Sequence, residues 1–264
     1  MQDTQGFPDH RMVKIAKVGI KDVCHPIFFS DMGQDRLVTL PSTATFSFFV
    51  ELSSSKKGTH MSRFPTILYD FAPYFNITKF EEMAHYINEK LESQTSYIET
   101  KFNYFYEKFA PISKTKGIAD LKIHLKIKAD SLKNTTETIL SIQIPVKSLC
   151  PCSKAISEYG AHSQRSYITI TLWNPKLSIK ECAEIAENSA SSAIYPVLKR
   201  VDEKFVTEKA YDTPRFVEDL VREVAIKLKE KSIHTKFEVT AENFESIHNH
   251  NAWAMVTSED LIQM

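Results

Sequence analysis

The segment IADLKIHLKIKAD, Ile118–Asp130, sets Leu121, Ile123, Leu125 and Ile127 against Lys122, His124, Lys126 and Lys128. Side chains along a strand alternate between faces, so one face here is apolar and the other cationic. That is the pattern of a half-buried antiparallel strand. The same alternation predicts strands in Thr43–Leu52, Tyr97–Phe109, Thr138–Val146, Arg165–Trp173, Thr235–Phe244 and Ala252–Val256.

Between the strands the period changes from two to that of a helix. Thr78 and Glu81 make a capping-box pattern ahead of Phe80, Met83, Ala84, Ile87 and Leu91. Ser178 and Glu181 repeat it before Ile179, Cys182, Ile185, Ala186 and Ala193. A further helix is expected to open with Thr213 as N-cap and Pro214 in its first turn, running through Val217, Leu220, Val221, Val224 and Leu228. Taken in order, residues 136–257 read strand, strand, helix, helix, strand, strand. Residues 13–130 read the same way, with a poorly patterned first helix near Met61–Phe71. The expectation is an α+β protein of two tandem ββααββ units with antiparallel sheets.

Composition narrows the function. The 264 residues carry 33 Lys+Arg and 33 Asp+Glu, so no net charge advertises nucleic acid or an anionic membrane as partner. No apolar run reaches the roughly 18–20 residues of a membrane span. The polar opening MQDTQGFPDHRM lacks the apolar core of a signal peptide, and a cytoplasmic protein is expected. With only 6 Gly there is neither a dinucleotide fingerprint nor a P-loop. Four cysteines in a chain this long are no disulfide framework, and in a reducing compartment neighbouring cysteines point to metal or catalysis.

Those cysteines draw attention to SLCPCSKAISEYGAHSQRS, Ser148–Ser166. Pro151 stiffens the turn that presents Cys150 and Cys152, and His162 lies close enough to fold back on them. Thiolate and imidazole suit zinc or another borderline cation. The spacing is not that of a zinc finger, so a metal site, inert buried thiols and a Cys–His nucleophile pair all stay open. Cys24 and Cys182 read as structural. Downstream, ENFESIHNHNAW places His248 and His250 two apart, on one face if extended, near Glu242 and Glu245. This suits metal binding or proton transfer, and equally a solvated loop. Glu218, near a helix start beside Val217 and Leu220, could accept two N–H bonds from guanine or a pterin. The loop SKKGTHMSRF carries His60 and Arg63 among lysines, as a surface turn or a phosphate contact.

Four segments taken together, CPCSKAISEYGAHSQRS, GTHMSRF, DEKFVTEKAYDTPRFVEDLVR and ENFESIHNHNA, closely resemble the motifs of GTP cyclohydrolase I type B. The likeness runs from VGIKD (Val18–Asp22) to the last strand. It implies the tunnelling fold, two units per chain, and homotetramers with barrels formed between subunits and active sites at their interfaces. It implies hydrolytic opening of the imidazole ring of GTP to give formate and 7,8-dihydroneopterin triphosphate, at the entry to folate and pterin synthesis. By the same resemblance Cys150, His162 and Glu203 hold a divalent metal (zinc, or manganese or iron(II)), without a redox cofactor. Cys150, His248, His250 and Glu245 fall at catalytic positions, and Glu218, Arg165, His60 and Arg63 at substrate-binding ones. Rival readings are an archaeal-type relative making a cyclic phosphate, an NADPH-dependent nitrile reductase, and a non-catalytic purine- or pterin-binding module.

Overall fold

The computed structural model describes residues 5–33, 39–231 and 236–261. Its elements run β1 (Ile15–Phe29), β2 (Pro41–Leu52), α1 (Arg63–Phe71), β3 (Tyr74–Phe75), α2 (Ile77–Leu91), β4 (Thr95–Phe109), β5 (Lys116–Asp130) and β6 (Thr135–Leu149). There follow α3 (Pro151–Ile156), β7 (Ser163–Trp173), α4 (Ile179–Glu187), β8 (Ser192–Ala193), α5 (Arg200–Asp212), α6 (Val217–Lys231), β9 (Phe237–Asn243) and β10 (Ala252–Thr257). The chain is α+β and divides into two compact units. One comprises Met1–Tyr104 and His124–Leu140, the other Phe105–Ile123 and Ser141–Met264. β4, β5 and β6 each contribute residues to both.

In the first unit β1 pairs antiparallel with β2, β2 with β4, and the short β3 lies parallel to β1. Alternation along β2 buries Ala44, Phe46, Phe48, Val50 and Leu52. Phe80, Met83, Ala84, Ile87 and Leu91 of α2 are buried with them. Phe75 stacks on Phe80 at 4.6 Å and Phe48 on Phe64 at 6.0 Å, so stacked aromatic rings form part of this core. Gly19, in the VGIKD segment, sits between two register shifts of β1. A Cβ there would lie 1.8 Å from the Phe48 carbonyl oxygen, so only glycine allows the close approach.

In the second unit β6, β7, β9 and β10 are neighbours in that order, with β8 on β6. β7 and β9 pair antiparallel from Ser166↔Asn243 to Leu172↔Phe237. Ile168, Ile170, Leu172, Val239 and Ala241 are buried, as are Cys182 of α4 and Leu220, Val221, Val224 and Leu228 of α6. No helix among the described residues is long and apolar enough to cross a membrane.

Local signals were met unevenly. The Ser178–Glu181 capping box forms as expected: Glu181 N–H donates to Ser178 Oγ at 3.1 Å, and Ser178 N–H to Glu181 Oε2 at 2.9 Å. The α2 cap is not Thr78 but Asn76, whose side chain accepts from Lys79 N–H at 2.8 Å. Thr213 is the C-cap of α5, and the next helix starts at Val217. α1 forms despite its weak pattern, because Phe64, Ile67 and Leu68 still gather on one buried face. Thr235, where the β9 reading began, lies outside the described residues.

Ser178→Ala should cost about 1 kcal/mol in denaturant unfolding, the usual worth of such a cap. Gly19→Ala should cost more, because backbone rather than a flexible side chain blocks the added carbon.

Candidate active site

β6 ends at Leu149, whose amide donates to Ser191 Oγ at 3.1 Å and whose carbonyl accepts from Arg215 N–H at 3.0 Å. The next residue, Cys150, is extended and serves as N-cap of α3, with Pro151 at the first helical position. Ser153 N–H donates to the Cys150 sulfur at 3.4 Å. Cys150 N–H reaches the His162 carbonyl at 3.1 Å, and His162 N–H reaches Ser153 Oγ at 3.2 Å. Gly160 at φ +115° lets the chain return. The loop 150–162 is thereby closed on itself, and the backbones of Cys150 and His162 are held together at the β6–β7 junction.

The His162 ring is held in turn. Its Nδ1 lies 3.1 Å from Gln164 Oε1 and 3.4 Å from Ser246 Oγ. Gln164 Nε2 donates to Ser148 Oγ at 3.0 Å and towards Glu245 Oε1 at 3.4 Å. Cys150, His162 and Glu245 are thus gathered, the last through Gln164. His248 and His250 stand in the loop between β9 and β10 rather than on a strand. Their rings nonetheless share a side, stacked at 5.1 Å and 14°.

Other predicted residues lie elsewhere. Glu203 is exposed in the first turn of α5. Lys154 of α3 donates to the carbonyl of Tyr211 and lies 4.2 Å from its ring centroid. Tyr211 is eight residues beyond Glu203, about 12 Å along a helix axis, so the far end of α5 meets the cysteine turn. Glu218 is exposed in the first turn of α6. Arg165 lines a cavity of about 260 Å³ with Lys108, Lys122, Tyr167 and Tyr195. Burial pushes the Tyr195 hydroxyl's pKa up. His60 and Arg63 belong to the first unit, where the Arg63 guanidinium donates to the Lys90 carbonyl at the end of α2. Cys152 is exposed and Cys182 fully buried.

Cys150 and His162 fit a borderline divalent cation. The sulfur accepts a backbone N–H, and with Nδ1 engaged the imidazole offers Nε2. Among the described residues no three of His, Cys, Asp and Glu come together as a complete ligand set. Glu203, on α5, does not join Cys150 and His162 in such a group. Sequence reasoning missed Gln164 and Arg215, whose Nε is buried without a partner among the described residues. Neither carries a motif signal of its own.

The architecture is that of a tunnelling-fold protein, with Cys150 and His162 held at its β6–β7 turn. The model of type I GTP cyclohydrolase folE2 matches residues 1–254. GTP cyclohydrolase FolE2 of Nitrosococcus oceani is 42% identical over 98% of this chain and 96% of the relative. That of Vesicomyosocius okutanii is 43% identical over 97% and 96%. The chain belongs to the type I GTP cyclohydrolase folE2 family. Among solved structures, a urate oxidase of Bacillus sp. TB-90 matches with TM-score 0.52 at 9% identity, over 92% of this chain and 99% of that one. This likeness speaks to the fold alone.

α5 is fixed by Asp202, fully buried beside the exposed Glu203. Its carboxylate accepts from Ile112 N–H (2.9 Å), Ser113 N–H (2.8 Å), Ser113 O–H (2.6 Å) and Lys199 N–H (2.8 Å). Burial pushes its pKa up, but the Ser113 hydroxyl and the amides outweigh that and hold it well below the usual carboxylate range. Because the folded carboxyl titrates below the unfolded one, its stabilisation is present above about pH 4 and fades as the pH falls further. Thermal unfolding of Asp202→Asn should therefore show a large deficit at pH 7 that narrows at about pH 3. A deficit independent of pH would remove Asp202 as the anchor.

Proposed function

We propose that this protein is a metal-dependent GTP cyclohydrolase. It opens the guanine imidazole ring to yield formate and 7,8-dihydroneopterin triphosphate, the first step towards folate and related pterins. The observation that carries this reading is the Cys150–His162 pair, anchored at the β6–β7 junction with Glu245 joined to it through Gln164. It occurs in a chain whose family match runs over residues 1–254.

C8 of guanine is too weak an electrophile for neutral water. A cation held by Cys150, His162 and Glu203 (zinc, or manganese or iron(II)) would lower the pKa of a water towards neutrality. As water adds to C8, His248 donates a proton to the departing ring nitrogen, with His250 beside it and Glu245 able to take protons back. A second water releases formate, and ring closure on the freed amine expels one. The net consumption is one water with no redox change, so the reaction needs no redox cofactor. Glu218 accepts the N1–H and N2–H donors of guanine, and Arg165 counters the triphosphate.

Glu203 reaches such a site most simply from a second copy of the chain, in a cytoplasmic homotetramer. Its exposure, and its distance along α5 from the cysteine turn, support that reading. So do exposed apolar side chains on α3 and the site's loops: Ile156 (86%), Tyr159 (98%) and Ile247 (63%).

Cys150→Ala should lose both bound metal and formate release from GTP, measured on the same sample by metal analysis and formate assay. Normal metal content and turnover in that variant would defeat the assignment. Glu218→Gln should raise KM for GTP several-fold while metal content stays intact. Cys150→Ala and Glu203→Ala should each be inactive alone and regain activity when co-assembled, since one interface then holds an intact set. Product analysis separates the cyclic phosphate product and any NADPH-dependent reaction.

A further inference from the structure

A line of hydrogen bonds runs inward from His162, and every donor in it has one direction. Glu245 as a carboxylate only accepts, so the Gln164 amide turns its NH₂ towards Glu245 Oε1 and Ser148 Oγ. Ser148 Oγ accepts there and gives its own hydrogen to Ser166 Oγ, 2.8 Å away. Ser166 Oγ donates to Asn243 Oδ1 at 2.7 Å. Ser148 and Ser166 are 0% exposed, Asn243 3% and Gln164 8%, so no bulk water competes for these positions. With its NH₂ committed on one side, the amide of Gln164 presents Oε1 on the other, 3.1 Å from His162 Nδ1. An amide oxygen can only accept. Nδ1 must therefore carry the hydrogen, and Ser246 Oγ at 3.4 Å can accept from the same N–H.

We infer that Gln164 is a positioning residue. Backed by Ser148, Ser166 and Asn243, it locks His162 as the Nδ1–H tautomer with the Nε2 lone pair directed at a divalent cation. The inference rests on the metal reading above and adds the device that prepares one ligand before the cation arrives. A histidine free to choose would spend part of its time with Nε2 protonated and unable to ligate. Partners that fix the tautomer of a ligating imidazole typically change metal affinity by about 10–100-fold.

The test has two arms. In metal-free wild-type protein labelled with ¹⁵N-histidine, His162 should show the Nδ1–H tautomer. The Nε2–H tautomer there overturns the inference, whether or not any variant folds. In the second arm, zinc affinity is measured by competition with a chromophoric chelator for wild type, Gln164→Leu, Gln164→Glu and His162→Ala. Gln164→Leu keeps the volume but removes the acceptor, and should bind zinc about 10–100-fold more weakly, in protein shown by a cooperative thermal transition to be folded. Gln164→Glu keeps an acceptor for Nδ1–H and should bind within a few-fold of wild type. A merely structural role gives the reverse order, because a buried acid beside Glu245 harms packing more than leucine does. Loss of affinity in His162→Ala without loss in Gln164→Leu overturns the inference alone. No loss in either variant overturns the metal reading with it.

Discussion

The hydrogen bond from Cys150 N–H to the His162 carbonyl, 3.1 Å long, is the contact on which the candidate site depends. It closes the end of β6 against the start of β7 and so converts a twelve-residue separation in sequence into adjacency. It works because Leu149, one residue earlier, has both backbone groups committed, to Ser191 and to Arg215. A strand end tied on both sides cannot fray, and the cysteine that follows inherits that rigidity. Pro151 then fixes the exit direction into α3. A thiol and an imidazole on a loose turn would lose conformational entropy on meeting a cation; here folding has already removed that freedom.

That rigidity uses polar residues where the rest of the unit uses apolar ones. On the buried face of β7 the order is Gln164, Ser166, Ile168, Ile170, Leu172. The chemistry changes from amide and hydroxyl to aliphatic as the strand leaves the site. An unpaired buried hydroxyl costs about 1–3 kcal/mol, so the polar end is tolerable only as a connected chain. Ser148, Ser166, Asn243 and Gln164 supply that chain among themselves. Shape and hydrogen-bond direction are specified together, which aliphatic packing alone could not do.

What was legible in the sequence follows from how local each cause is. Alternation in Ile118–Asp130 and the box at Ser178–Glu181 depend on neighbours within a few residues, and both read correctly. Thr78 misled because it copies a capping box two residues inside the helix that Asn76 starts. α5 escaped for a different reason. It buries only Asp202 and Ala210 and leaves Val201 and Phe205 exposed, so it has almost no apolar stripe to detect. Its anchor is a carboxylate whose partners Ile112 and Ser113 lie about ninety residues earlier. Cys150 and His162 were legible because twelve residues separate them. Gln164 was not, since its role arises from strands whose pairing no motif encodes.

Asp202 and Glu203 show how one helix turn serves two ends. The first is turned inward and satisfied four times over, the second outward and exposed. A helix held by a buried carboxylate, rather than by an apolar face, can present its outer surface without cost to the core. The proposed second copy would use that surface: a donor left exposed by one chain would complete a ligand set left incomplete in the other. The exposed Ile156 at the end of α3, with Tyr159 and Ile247 in loops that carry site residues, stands beside the site, and covering them is worth about 25 cal/mol per Å² of apolar surface removed from water. Assembly and metal loading would then favour each other, because each removes what leaves the isolated chain incomplete.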